Sequence, residues 1–169
     1  MEQIHQTCIE MMEQRGYDII DYDKETIMCI DNYGINIICM LLVNDPKFNI
    51  DCAKAIMGYM NDNDISHAIL VYTETITPSA KKALESPLNM EFEFFCMDEL
   101  QYNVTKHHLV PVHEKLSEKN KQIFKNRYNV QIPVIKLTDP VSRFYGYKKG
   151  DIIRIYRHNP NYVTYRIVK

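Results

Sequence analysis

The chain has 169 residues, room for one domain or two small ones, and is 46% hydrophobic and 25% charged, a globular composition that excludes a disordered chain. Five glycines and seven prolines exclude collagen-like or linker-like character, and the longest apolar stretch, Ile37 to Val43, is strand-sized, well short of the ~18 residues of a membrane span. The net charge of −2 hides an asymmetry: residues 1–104 hold 6 Lys/Arg and 18 Asp/Glu, net −12, whereas residues 105–169 hold 14 Lys/Arg and 4 Asp/Glu, net +10.

Residues 2–15 read as an amphipathic helix, with Ile4, Cys8, Met11, Met12 and Arg15 at helical spacing and Gly16 ending it. Its first residues, Met1 to Gln6, carry no basic run followed by an apolar one, so no signal peptide is expected. Tyr17–Tyr22 reads as a strand centred on Ile19 and Ile20, Thr26–Ile30 as a second, and Asn32-Tyr33-Gly34 as the turn to a third, Ile35–Val43. The third is apolar along most of its length, which suits a strand covered on both faces. Asn44-Asp45-Pro46 breaks the run, and residues 49–61 return to helical period through Cys52, Ala53, Ile56, Tyr59 and Met60. Ala68–Thr73 is a buried strand, Thr77 caps a helix with Pro78 at its first position, and Glu91–Cys96 is a last strand. The order α-β-β-β-α-β-α-β describes an α/β (α+β) domain in which helices pack on a mixed sheet.

The pattern restarts after Thr105. His108–His113 reads as an extended or turn segment around Pro111, and residues 116–128 as a helix burying Leu116, Ile123, Phe124 and Tyr128. The other face of that helix carries Lys115, Lys119, Lys121 and Lys125. Val134–Leu137 is a strand, and Thr138-Asp139 caps a short helix beginning at Pro140. Asp151–Arg157 and Tyr162–Val168 alternate as an antiparallel hairpin. Charge and pattern together predict an acidic domain over 1–104 and a small basic α+β domain over 105–169. The basic part suits nucleic acid or the acidic surface of a partner protein.

Little of the sequence carries catalytic chemistry. The five cysteines form no C-x-x-C pair and are odd in number, which reads as small apolar thiols in a reducing compartment; the Asn103-Val104-Thr105 sequon is then coincidental. The strand and helix order of the first domain is that of restriction-endonuclease-like folds. Such an enzyme needs two carboxylates for a divalent metal and a nearby lysine for the developing phosphate charge. The third strand holds neither acid nor lysine, Asp45-Pro46-Lys47 lies beyond its end with a proline inside, and Asp31 falls in a turn. His107, His108 and His113 with Cys96 match no common zinc spacing. Gly146–Gly150 superficially resembles a phosphate loop but precedes a strand, not a helix, and no G-x-S-x-G, P-loop or G-x-G-x-x-G occurs. No catalytic residue, metal or cofactor is expected.

Several ordered motifs carry a resemblance. His108-Leu-Val-Pro-Val-His113, Leu116-Ser117, Asp139-Pro-Val-Ser-Arg-Phe-Tyr-Gly146, Lys149-Gly150-Asp-Ile-Ile-Arg-Ile155 and Tyr165-Arg166 follow one another. Upstream stand Arg15-Gly-Tyr17, Ala68-Ile-Leu-Val71, Thr77-Pro-Ser-Ala-Lys-Lys-Ala-Leu84, Glu99-Leu100 and Asn103-Val-Thr105. The chain resembles the fifth subunit shared by the eukaryotic nuclear DNA-directed RNA polymerases, whose C-terminal part matches a small subunit of the archaeal RNA polymerase. The resemblance implies a non-catalytic subunit with two parts. An N-terminal endonuclease-like jaw would frame downstream duplex DNA, and a C-terminal assembly domain would dock on the largest subunit. It implies DNA proximity for Pro46, Lys47, Thr77, Pro78, Ser79, Lys81 and Lys82. For partner binding it points to His108, Leu109, Pro111, His113, Asp139, Pro140, an exposed Arg143, Gly146, Gly150, Tyr165 and Arg166.

The segments Gly16–Ile35, Tyr128–Ile135 and Arg157–Tyr162 are short for a eukaryotic member. With the richness in Ile, Asn, Lys and Tyr, this points to an AT-rich genome such as that of a large DNA virus encoding its own polymerase. The expected location is the nucleus, extended for a virus-encoded copy to the virion and host cytoplasm; neither a membrane nor a small-molecule substrate is expected. Two rival readings are a stand-alone nucleic-acid-binding module and a metal-dependent nuclease.

Overall fold

The computed structural model describes residues 2–42, 47–127, 131–158 and 161–169. They fall into two compact units, Met1–Tyr102 and Asn103–Lys169, and no helix among the described residues is long and apolar enough to cross a membrane.

In the first unit, the helical spacing of apolar residues yields α1 (Glu2–Gln14), which buries Ile4, Cys8, Met11 and Met12. The chain then forms β1 (Asp18–Tyr22), β2 (Thr26–Ile30), β3 (Asn36–Leu42), β4 (Lys47–Phe48), α2 (Ile50–Asp62), β5 (Ile65–Tyr72), β6 (Thr75–Ile76), α3 (Pro78–Leu84) and β7 (Glu91–Cys96). The main sheet has the order β1-β2-β3-β5-β7. Its first three strands are antiparallel, and β3, β5 and β7 run parallel.

Successive strand residues point to opposite faces, and both faces of β3 are used. Ile38 joins Phe48, Ala53, Ile56, Met60, Ala68, Leu70 and Leu84 in a core formed with α2 and α3. Cys39 points the other way, where its thiol meets that of Cys8 on α1. The continuous apolar run thus reflects cover on both faces, and each fully buried Ile, Leu or Phe contributes about 1.5–3 kcal/mol.

The second unit holds β8 (Val112–Lys115), α4 (Glu118–Arg127), β9 (Val134–Ile135), α5 (Pro140–Phe144), β10 (Ile152–His158) and β11 (Asn161–Val168). The sheet order is β8-β10-β11-β9, with β9 parallel to β11 and the other pairs antiparallel. One cluster of its core consists of Ile135, Tyr147, Ile153, Ile155 and Val168. Gly146 and Gly150, at φ of +64° and +90°, allow the chain between α5 and β10 to turn through left-handed backbone that other side chains resist.

Several sequence expectations need correction. The helix expected from Leu116 starts at Glu118 and buries no residue. Leu116 is buried ahead of it, Ile123 is 53% exposed, and Phe124 is half-buried against Tyr165, with ring centroids 4.5 Å apart; Tyr128 lies outside the described residues. Of the two apolar residues described within this helix, Ile123 and Phe124, only Phe124 finds partial cover. Lys121, expected on the solvated face, ion-pairs with Glu118 at 3.1 Å and is largely covered. Ile20 is exposed because β1 is an edge strand whose register shifts between Ile19 and Asp21. Tyr59 keeps the period of α2 but is 43% exposed. The strand expected over Val134–Leu137 shortens to β9. The two-residue strands β4 and β6 are too short to leave a periodic signal.

Candidate functional site

In the second unit, three separate segments close around one groove of about 300 Å³. Its lining comprises Leu109, Val110, Pro111, His113, Ile135, Asp139, Val141, Ile155, Arg157 and Arg166. The first segment is a loop turned by the hydrogen bond from Val110 N to His107 O (2.8 Å). It enters β8 after Pro111, whose carbonyl accepts a 2.7 Å hydrogen bond from His113 Nδ1. The second runs from Ile135 on β9 to the start of α5. Asp139 Oδ1 accepts from Val141 N at 2.9 Å and Ser142 N at 3.4 Å, so the carboxylate satisfies helix donors that have no partner inside the helix.

The third segment is the β10–β11 hairpin. His113 is paired with Ile155, Ile155 with Thr164, Arg157 with Tyr162 and Arg166 with Ile153. Paired residues share a face, so His113, Arg157, Thr164 and Arg166 all stand on the side that carries Ile153 and Ile155. The groove therefore has apolar walls and a positive rim. Burial pushes the His113 imidazole below its ordinary pKa; the Pro111 hydrogen bond and Asp139 oppose this, and Arg157 and Arg166 reinforce it.

The structure gathers Leu109, Pro111, His113, Asp139 and Arg166 in this groove and leaves the other expected partner-binding residues outside it. His108 is exposed and packs on His107, with ring centroids 4.5 Å apart. Pro140 is exposed at the start of α5. Arg143, expected to be exposed, is half-buried and engaged by its surroundings, because the one-turn α5 lies flat on the unit. Gly146 and Gly150 shape the connection to β10. Tyr165 points to the opposite sheet face, under the Arg154 guanidinium (5.8 Å) and beside Phe124. The sequence marks Val110, Val141, Ile155 and Arg157 only as members of wider segments expected to bind a partner, the His108–His113 turn, the Asp139–Gly146 segment and the hairpin Asp151–Lys169, and does not mark Ile135. The alternation of β10 was the signal available for Arg157, since it sets that residue on the face of Ile153 and Ile155.

In the first unit, β4 pairs in parallel with β6, setting Lys47 opposite Thr75. Thr77 continues this junction: its N–H and hydroxyl both donate to Phe48 O, at 3.0 and 3.1 Å, and its Oγ1 accepts from Ala80 N at 3.3 Å. The structure thus brings the Lys47 and Thr77 segments together. Pro78, Ser79, Lys81 and Lys82 are exposed, and Lys81 reaches Glu85 only at 4.0 Å, a surface pair of little strength. Pro46 lies outside the described residues.

A different polar cluster sits beneath α1. Arg15 donates to both oxygens of Glu93, at 2.8 and 2.9 Å, and His67 Nε2 donates to the same carboxylate at 3.0 Å. Glu91 also lies close enough for His67, Glu91 and Glu93 to resemble a metal-ligand set. Since Arg15 occupies both oxygens of Glu93, the cluster works as an internal ion pair. Burial alone would raise the Glu93 pKa, but the His67 hydrogen bond and Arg15 more than reverse it, taking it from 4.5 to about 2.

Comparison with known proteins gives these features a setting. Residues 102–168 match the family described as "RNA polymerase Rpb5, C-terminal domain". The chain is 31% identical to the Dictyostelium discoideum protein "DNA-directed RNA polymerases I, II, and III subunit rpabc1", over 98% of this chain and 95% of the relative. It is 37% identical to the RPABC1 subunits of Caenorhabditis briggsae and Caenorhabditis elegans, over 73% of this chain and 62% of each of theirs.

Proposed function

Because the chain belongs to the Rpb5 family, the shared non-catalytic subunits of DNA-directed RNA polymerases, we propose that its second unit docks on the largest subunit of such a polymerase while its first unit frames the downstream duplex. Other polymerase subunits are its partners. The observation that carries the docking reading is the groove, where three segments far apart in sequence converge. The DNA reading draws on Lys47, in the β4–β6 ribbon, and on Lys81 and Lys82, in the helix that follows β6, in a unit whose net charge is −12. An acidic unit repels phosphates in general, so any duplex contact must be local, and phosphate contacts of this kind position without reading sequence. Its proposed workplace is the nucleus and, for a copy carried by a large DNA virus, also the virion and host cytoplasm.

The Lys81→Ala/Lys82→Ala double variant tests the DNA reading. It should assemble normally, and the salt dependence of polymerase–DNA dissociation should weaken by about 1 in log–log slope for each phosphate no longer neutralised. An unchanged slope in an assembled enzyme removes these lysines from the DNA path.

A further inference from the structure

The groove carries more positive charge than its own unit neutralises. Among the described residues, the Arg157 side chain makes no hydrogen bond or ion pair, and its backbone is paired with Tyr162 in the hairpin. Arg166 spends one donor, from Nη1 to Val134 O at 3.0 Å, out of the five that a guanidinium offers. Asp139, the single carboxylate in the lining, is already committed to the α5 cap through Oδ1. The apolar remainder of the lining, Leu109, Val110, Pro111, Ile135, Val141 and Ile155, lowers the local dielectric and strengthens any charge pairing made there. Leu109 is 75% exposed at the edge, an apolar side chain waiting for cover.

Resting on the docking reading above, we infer that the groove receives an extended segment of the neighbouring polymerase subunit and seats an Asp or Glu side chain of that segment between Arg157 and Arg166. The two arginine positions lie four residues apart along the hairpin, roughly 13 Å at the backbone, a span that a short extended peptide fills with one acidic side chain at the centre and apolar neighbours against Leu109 and Val141. A guanidinium fork matches a carboxylate in two parallel hydrogen bonds. A phosphate-bearing polymer fits less well, because the apolar walls would face its solvated backbone.

The test uses the polymerase purified through a tag on this chain. Arg157→Lys keeps the charge and installs a primary amine, and a water-soluble carbodiimide joins such an amine to an adjacent carboxylate as an amide, releasing the urea. The expected result is a cross-link from position 157 to an Asp or Glu of a neighbouring subunit, absent with the native arginine. In parallel, Arg157→Glu should speed release of the chain from the polymerase about tenfold or more, with the full chain still folded by circular dichroism. Three results overturn the inference in an assembled enzyme: no link at 157 or one only to Asp139 of the same chain, a release rate unmoved by the glutamate, or retention that nuclease digestion abolishes. A chain found in no polymerase overturns the docking reading as well.

Discussion

Replacing Glu93 by Gln should destabilise the first unit by about 3–5 kcal/mol, the usual cost of breaking a buried ion pair from one side. The Arg15 side chain is only 1% exposed, so the variant leaves a guanidinium in the interior facing a neutral amide. The pH dependence follows from the same pair. The folded carboxylate has a pKa of about 2 against an ordinary 4.5. Its stabilisation is therefore fully present above the unfolded value and is lost as the pH falls from about 4.5 towards 2. Urea titrations of the native chain and the variant from pH 7 down to pH 2.5 check both statements: the difference between them should be large at pH 7 and shrink through that window. A variant within 1 kcal/mol of native at pH 7 would show that the network contributes little.

The second large effect concerns the other unit. Ile153 is fully buried and central, on a strand paired with both β8 and β11. Cutting it to Ala should cost about 2–5 kcal/mol. A unit of this size holds roughly 3–10 kcal/mol in all, so the substitution removes much of its stability. In the full chain, amide hydrogen exchange should show lost protection along β10 and β11 with β3 and β5 unchanged. Equal loss in both units would mean that they fold as one cooperative block.

Most of the architecture was legible because it rests on long periodic signals. The continuous apolar run of β3, the helical stripe of α1, the Thr77-Pro78 and Asp139-Pro140 caps and the alternation of the hairpin each specify local structure through one mechanism. What escaped has physical reasons too. The ribbon of β4 and β6 is held by register, not composition. The spacing in α4 promised burial for Ile123, which the structure leaves exposed. The Arg15–Glu93–His67 cluster joins residues far apart in sequence, and no spacing rule links a helix end to the sheet strand β7. The groove was half legible: Leu109, Pro111, His113, Asp139 and Arg166 came through family resemblance, whereas Arg157 and the apolar walls needed strand register to be set beside them.

The most direct measurement is native purification of the tagged chain from its own cells, with mass-spectrometric identification and stoichiometry of what comes with it. The account predicts a largest polymerase subunit present in equal amount, cross-linked to residues 105–169, and no Mg²⁺- or Mn²⁺-dependent cleavage of DNA by the isolated chain. Recovery of the chain alone, or phosphodiester hydrolysis by it, would contradict the account.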